Sequence, residues 1–329
     1  MITGIESLHY GVADVEEAIR FFTDFGLPLI ETGKAYGRFE LPEGSSIIIR
    51  HRDDPALPIG KMAGDGVRKV IWAVDTQRSL DQLVQRVSAA VPVECNDDGT
   101  AHFVPPFGIP MALKLFARKP VTSAPDPVNS PGRVNRLNQH RKWRERARPK
   151  VINHVVWATP DYREAAQFMR EVLDFRLSDI QRGFGVYIRA DGSYNHHSLF
   201  LINANAPFPG MDGETRFHHA NFGVEDIDEI MTGANHMVRK GWHNSHMGLG
   251  RHRIDSGLFY YIPCPAGGEA EYGADADYVD DGWVPRYWEN PLFGFAHYAH
   301  NLPPFLQDSP AWDFRYLTEE APQSIRGDD

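Results

Sequence analysis

The stretch His154-Val155-Val156-Trp157-Ala158-Thr159-Pro160-Asp161 sets the reading of the whole chain, because it recurs. It is a strand-like apolar run ending in Asp, followed by Ala165-Ala166-Gln167-Phe168-Met169, which carries apolar residues at helical spacing. The same pattern appears as Leu8 to Asp14 before Val15–Phe22, as Lys69 to Asp75 before Leu80–Val84, and as His219 to Asp226 before Ile227–Met231. In each copy the Asp stands where a helix N-cap belongs. Runs such as Ser46-Ile47-Ile48-Ile49-Arg50 and Ser198-Leu199-Phe200-Leu201-Ile202 supply the remaining strands. The pattern predicts an α+β fold of two domains, each made of two strand-helix-strands modules.

Boundaries follow from composition. Residues 118–150 hold ten Lys or Arg against two acids, with Pro and Asn, and read as a solvated basic linker wrapped on a neighbouring module. That divides the chain into an N-terminal domain 1–117, the linker 118–150, a C-terminal domain 151–290 and an extension 291–329. A net charge of −10 argues against general affinity for nucleic acid. No apolar stretch approaches bilayer length, so no membrane span is expected. The N-terminus lacks the pattern of a secretory signal, and two cysteines, Cys95 and Cys264, make no disulfide framework, so a cytoplasmic location is expected. Exposed aromatics and the C-terminal extension lead us to expect a homo-oligomer.

Of fifteen histidines, nine fall between His154 and His252, a clustering that neither a core nor a solvated face requires. His154 stands seven residues before Asp161 and His219 seven before Asp226, so the two occupy equivalent positions. Strand alternation favours His219 over its neighbour His218. The corresponding positions of the first two modules are Ser7 and Arg68, so the N-terminal domain is expected to lack a metal site. Two His and one carboxylate on one face leave positions open for substrate and oxygen. Glu269 and Glu271 share a face of one late strand, and spacing alone does not separate them.

Together, Asn153-His154, His196-His197-Ser198-Leu199, His218-His219, Gly250-Arg251-His252-Arg253-Ile254-Asp255, Phe259-Tyr260-Tyr261 and Glu269-Ala270-Glu271-Tyr272-Gly273 resemble the type I extradiol ring-cleavage dioxygenases of the vicinal oxygen chelate superfamily. Nine residues separate His252 from Tyr261, and nineteen separate it from Glu271, as in that family. The resemblance runs from about Val151 to Gly273 and reaches the N-terminal half only as the repeat. It implies paired βαβββ modules and Fe(II), less commonly Mn(II), held by His154, His219 and Glu271. It also implies O2 as co-substrate and a small aromatic diol as substrate, cleaved in aromatic compound degradation. It assigns acid/base work to His197, hydrogen bonds to substrate oxygens to His252 and Tyr261, and support of His252 to Asp255. Trp157, Trp242, His243 and His246 are further candidates for the pocket wall. Trp283, Trp288 and Phe295 are candidates for the wall or a C-terminal cover. The alternatives are a glyoxalase-like isomerase or lyase, which would use the metal without oxygen, and a metal-free binding protein.

Overall fold

The computed structural model describes residues 1–306 and 314–318; within the expected extension 291–329, residues 307–313 and 319–329 lie outside the described residues. Four modules follow one another. The first is β1 (Ile2–Val12), α1 (Val15–Phe25), β2 (Leu29–Gly33), β3 (Tyr36–Glu40) and β4 (Ser46–His51). The second is β5 (Gly66–Val74), α2 (Gln77–Ala90), β6 (Val93–Cys95), β7 (Ala101–Phe103) and β8 (Met111–Leu115). The third is β9 (Val151–Thr159), α3 (Tyr162–Leu173), β10 (Arg176–Gln181), β11 (Gly185–Arg189) and β12 (Leu199–Asn203). The fourth is β13 (Arg216–Gly223), α4 (Ile227–Arg239), β14 (Gly250–Arg251), β15 (Leu258–Pro263) and β16 (Glu269–Ala274). Beyond them lie β17 (Arg286–Trp288), α5 (Pro291–Phe295), β18 (Tyr298–Ala299) and β19 (Phe314–Tyr316).

Every module is therefore βαβββ, and its first strand pairs in parallel with its last. The first strands of paired modules meet antiparallel, β1 with β5 and β9 with β13. Two sheets result, ordered β2-β3-β4-β1-β5-β8-β7-β6 and β18-β14-β15-β16-β13-β9-β12-β11-β10-β17-β19. This is the paired-module architecture that the repeat predicts.

The helix starts depart in detail from a uniform Asp cap. Asp14 and Asp226 accept from the N–H of Glu17 and Glu229 as N-caps should. Asp75 does not cap α2: it binds the N-terminal ammonium at 2.6 Å, and Thr76 caps instead. Asp161 makes no side-chain cap bond.

The two halves share one apolar core. The α1 residues Phe21, Phe22 and Phe25 are buried on one face of that helix. Phe25 stacks on Tyr272 at 4.0 Å, and the Tyr272 hydroxyl donates to the Phe25 carbonyl at 2.7 Å. Such a stack adds about 1 kcal/mol beyond the area it buries. The basic linker lies against the acidic start of α4: Arg144 and Lys150 bind Glu225, Arg141 binds Asp228, and the Arg148 N–H donates to Glu229. Its charge is matched locally by the chain's own carboxylates. No helix among the described residues is long and apolar enough to cross a membrane.

Candidate metal centre

The centre is built on three adjacent strands. In the order β16-β13-β9, Asn221 of β13 pairs with Glu271 on one side and His154 on the other. His219 lies two residues back on the same strand, so period-two alternation turns it to the same face. The outcome is three converging donor atoms. His154 Nε2 and His219 Nε2 are 3.3 Å apart, and Glu271 Oε2 lies 3.3 and 3.4 Å from them. All three residues are buried, Glu271 to 1% exposure.

Simple alternation does not hold at His218. A bulge between Phe217 and His219 displaces it, and its Nδ1 lies 2.7 Å from Nδ1 of His219. Both rings line the same chamber. Gly268 permits the close approach there: its φ is +55°, and a Cβ would sit 2.1 Å from the His218 carbonyl oxygen. With Nδ1 of His219 committed to His218, its Nε2 is the nitrogen that faces the cluster. Burial holds His218 down to about 4, and burial with the neighbouring imidazoles holds His219 well below its usual range, so both are neutral.

Glu271 Oε2 is buried and makes no hydrogen bond. A buried carboxylate oxygen without a partner costs free energy unless a cation answers it. A second group of converging donors, His196, His197 and Asp255, lies beside the first, the rings of His154 and His197 stacking at 4.0 Å. There the atoms have partners: His196 Nε2 binds Asp179 at 2.9 Å, His196 Nδ1 lies 3.2 Å from His197 Nδ1, and Asp255 Oδ1 accepts from the Gly257 N–H. The orphaned oxygen singles out His154, His219 and Glu271 as the set that fits a metal ion. Glu269 faces the same chamber, but burial and the Glu271 charge raise it to about 7, which suits a carboxyl left outside the donor set.

His252 and Tyr261 complete the near wall. Tyr261 pairs across β15 and β16 with Glu271, and its hydroxyl is 3.1 Å from His252 Nε2. His252 Nδ1 donates to the Phe295 carbonyl. Because a carbonyl only accepts, Nδ1 carries a proton, and in the neutral ring Nε2 is then the acceptor for the Tyr261 hydroxyl. Burial and the Glu271 and Glu269 charges push the Tyr261 phenol well above its usual range, so it remains a donor. Asp255 Oδ2 lies 3.9 Å from His197 Nδ1; burial opposes its ionisation, and the nearby His252 leads the charges that hold its carboxyl below the usual range, while the carbonyl of Phe295 at the end of α5 holds His252 Nδ1. His197 is kept neutral by burial and by its His154 and His196 neighbours.

A chamber of about 340 Å3 opens on these groups, walled by Phe184, Phe200, Ile202, Phe208 and Phe295. His246 stands at its rim. Trp157, Trp242 and His243 lie elsewhere. Trp157 points into the shared core, fully buried, and its indole N–H donates to Val67 across the halves. Trp242 packs against Phe21 and under Arg20, binding Asp24. His243 is exposed and borders no part of the chamber. Phe184 before β11, Phe200 and Ile202 on β12 and Phe208 in the following loop carry no motif, and only the alternation of β12 could have pointed to its two residues. A larger groove of about 500 Å3 around Arg176, Arg189 and Asp281 reaches none of the converging donors.

Residues 151–266 match the family model of the Glyoxalase/Bleomycin resistance protein/Dioxygenase superfamily. The chain is 33% identical over 138 residues to metapyrocatechase 2 of Cupriavidus necator, covering 42% of this chain and 40% of that one. It thus spans less than half the length of that curated relative. Among solved structures it resembles BphC, a halotolerant catechol dioxygenase, with a TM-score of 0.70 at 20% identity over 96% of this chain and 99% of the other. It also resembles the Mn(II)-bound glyoxalase of Novosphingobium aromaticivorans, with a TM-score of 0.68 at 21% identity over 89% of this chain and 90% of that one. At these identities the structures speak for the fold.

Proposed function

We propose that this chain, whose residues 151–266 form a Glyoxalase/Bleomycin resistance protein/Dioxygenase superfamily domain, is an extradiol dioxygenase that opens the ring of an uncharged catechol bearing an apolar substituent. The observation that carries the reading is the buried Glu271 Oε2, without a hydrogen bond, facing the Nε2 atoms of His154 and His219 beside the His252–Tyr261 pair. Two His and one carboxylate are the donor set of non-haem Fe(II) oxygenases, and His154, His219 and Glu271 would hold the ion. When bound, Fe(II) supplies a Lewis acid for the two diol oxygens and an electron path between the diol and O2.

The rest belongs to the protein. A diol must shed protons to chelate a cation, and His197, kept neutral by burial, is the base within the chamber. The Tyr261 hydroxyl and His252 form a linked donor and acceptor that fixes one substrate oxygen. The apolar walls exclude water and so strengthen each of these interactions. No Lys or Arg among the described residues lines the chamber, so a carboxylated catechol would enter without a counter-charge. A volume of about 340 Å3 admits a ring with a bulky substituent.

The test is anaerobic reconstitution with Fe(II), followed by oxygen uptake and visible absorbance with catechol, 3-methylcatechol, biphenyl-2,3-diol and a carboxylated catechol, alongside His219→Ala. Stoichiometric uptake and a yellow product, greatest with the apolar diols and lost in the variant, are expected. Bound metal with no uptake on any diol overturns the proposal in favour of isomerase or lyase chemistry.

A further inference from the structure

One buried network is left unused by that chemistry. Asp179 on β10 is fully buried, and both its oxygens are engaged. Oδ1 accepts from the backbone N–H and Nε of Arg286, at 2.7 and 3.1 Å; Oδ2 accepts from an Arg286 guanidinium nitrogen at 2.6 Å and from His196 Nε2 at 2.9 Å. Arg286 begins β17, which pairs in parallel with β10, and its guanidinium lies between the rings of Trp283 and Trp288, at 4.7 and 4.9 Å. Trp283 in turn donates to the Ser178 carbonyl at 2.9 Å and sets its ring edge against His196. The segment Trp283 to Trp288 thus braces Asp179 and His196 from outside the four modules.

We propose that Asp179, acting through His196, determines which nitrogen of His197 carries its proton, and so presents the Nε2 lone pair of His197 to the substrate diol. The argument is one of donors and acceptors. A carboxylate forked by a guanidinium only accepts, so His196 must place its proton on Nε2 to reach Asp179. In the neutral ring His196 Nδ1 is then a lone pair, 3.2 Å from His197 Nδ1. Two facing lone pairs repel, so His197 carries its proton on Nδ1, where Asp255 Oδ2 at 3.9 Å favours it further. Nε2 is left unprotonated, as a base requires. Asp179, His196 and Arg286 are positioning residues on this account, and His197 is the group that meets substrate. A purely structural bond from Asp179 to the C-terminal segment would need Arg286 but not an imidazole whose second nitrogen points at His197.

The inference rests on the proposed diol chemistry for its purpose, although the proton placement can be measured without it. Asp179→Asn keeps the shape and reverses the order. Arg286 claims the amide oxygen, the NH2 turns to His196 Nε2, and the proton of each histidine moves to the other nitrogen. Ring 15N spectra of 15N-histidine-labelled protein loaded with diamagnetic Zn(II), with His197 assigned by its loss in His197→Ala, should show the Nδ1–H form in the wild type and the Nε2–H form in Asp179→Asn. In the Fe(II) enzyme, kcat should fall about 100-fold, within the range general acid–base groups contribute. KM and iron content should stay within about twofold. Asp179→Asn added to His197→Ala should cost nothing further.

An unchanged tautomer in folded Asp179→Asn overturns the proposal, as does a loss that persists in full on the His197→Ala background. If Asp179→Asn fails to fold, His196→Gln is read the same way: His197 should lose its single tautomer, and the kcat loss should vanish on His197→Ala. A wild type that binds Fe(II) yet consumes no oxygen sinks the dioxygenase reading alone, since the Zn(II) spectra still decide the relay.

Discussion

The Tyr261 phenolic oxygen lies 3.1 Å from His252 Nε2, and with Nδ1 donating to the Phe295 carbonyl the neutral ring receives the phenol's hydrogen bond on Nε2. Removing the hydroxyl with Tyr261→Phe leaves the ring packing and the metal donors in place. The expected outcome is a fall in kcat/KM of about 10- to 100-fold, the cost of leaving the part-buried His252 Nε2 without the hydroxyl that orients it. Bound Fe(II) should be unchanged. Steady-state oxygen uptake with metal analysis checks both, and a loss of iron in this variant would assign Tyr261 a different role.

Glu271 is expected to destabilise the metal-free protein and stabilise the loaded one. Its Oε2 is buried without a partner, so Glu271→Gln should melt at the same temperature as metal-free wild type or higher. With metal the order reverses. A ligand at a hundred times its Kd adds about 2.7 kcal/mol, and each kcal/mol shifts a chain of this size by roughly 1–2 °C. Anaerobic melting with and without Fe(II) or Mn(II) tests the pair; a variant that keeps the full metal-induced shift would remove Glu271 from the donor set.

These sites were unequally legible in the sequence. The seven-residue spacing from His154 to Asp161 and from His219 to Asp226 reported shared register because each strand leads directly into its helix. The role of His218 was not readable, since a bulge breaks the alternation on which the choice of His219 relied. Nor was the partner of Asp255: a side chain on a loop can turn to either of two histidines, and the Phe295 carbonyl that holds His252 arrives from 43 residues away. Trp157 failed as a wall residue because β9 is covered on both faces, one by the chamber and the other by the N-terminal half. Arg286 meets Asp179 across 107 residues, a separation that leaves no periodic trace.

The linker should make stability fall in acid. Burial opposes ionisation of Glu225, but the Ala124 N–H, Arg144 and Lys150 overcome it and bring the carboxyl down to about 2. A depressed folded value contributes stability that is present above the unfolded value near 4.5 and lost as pH falls from there toward 2. At 1.36 kcal/mol per unit the fall from 4.5 to about 2 amounts to roughly 3 kcal/mol. Glu225→Gln should be less stable than wild type at pH 6, and the gap should narrow to roughly half by pH 3. Urea unfolding at the two values measures it, and a gap that stays constant would place the effect in packing instead of charge.

Phe25 joins the halves more tightly than a linker alone could. It is fully buried, stacks on Tyr272, and contacts Phe21, Phe22 and Phe222 edge-on or stacked. Phe25→Ala should cost about 3–5 kcal/mol, the range for emptying a buried aromatic site. Because Tyr272 follows Glu271 on β16, the disturbance should reach the donor strand: metal affinity should fall along with the melting temperature, although Phe25 belongs to the N-terminal half. Calorimetric titration of Fe(II) or Mn(II) into the folded variant below its transition checks this. Unchanged affinity in a destabilised variant would show that the shared core supports the C-terminal sheet as a whole without setting the position of Glu271.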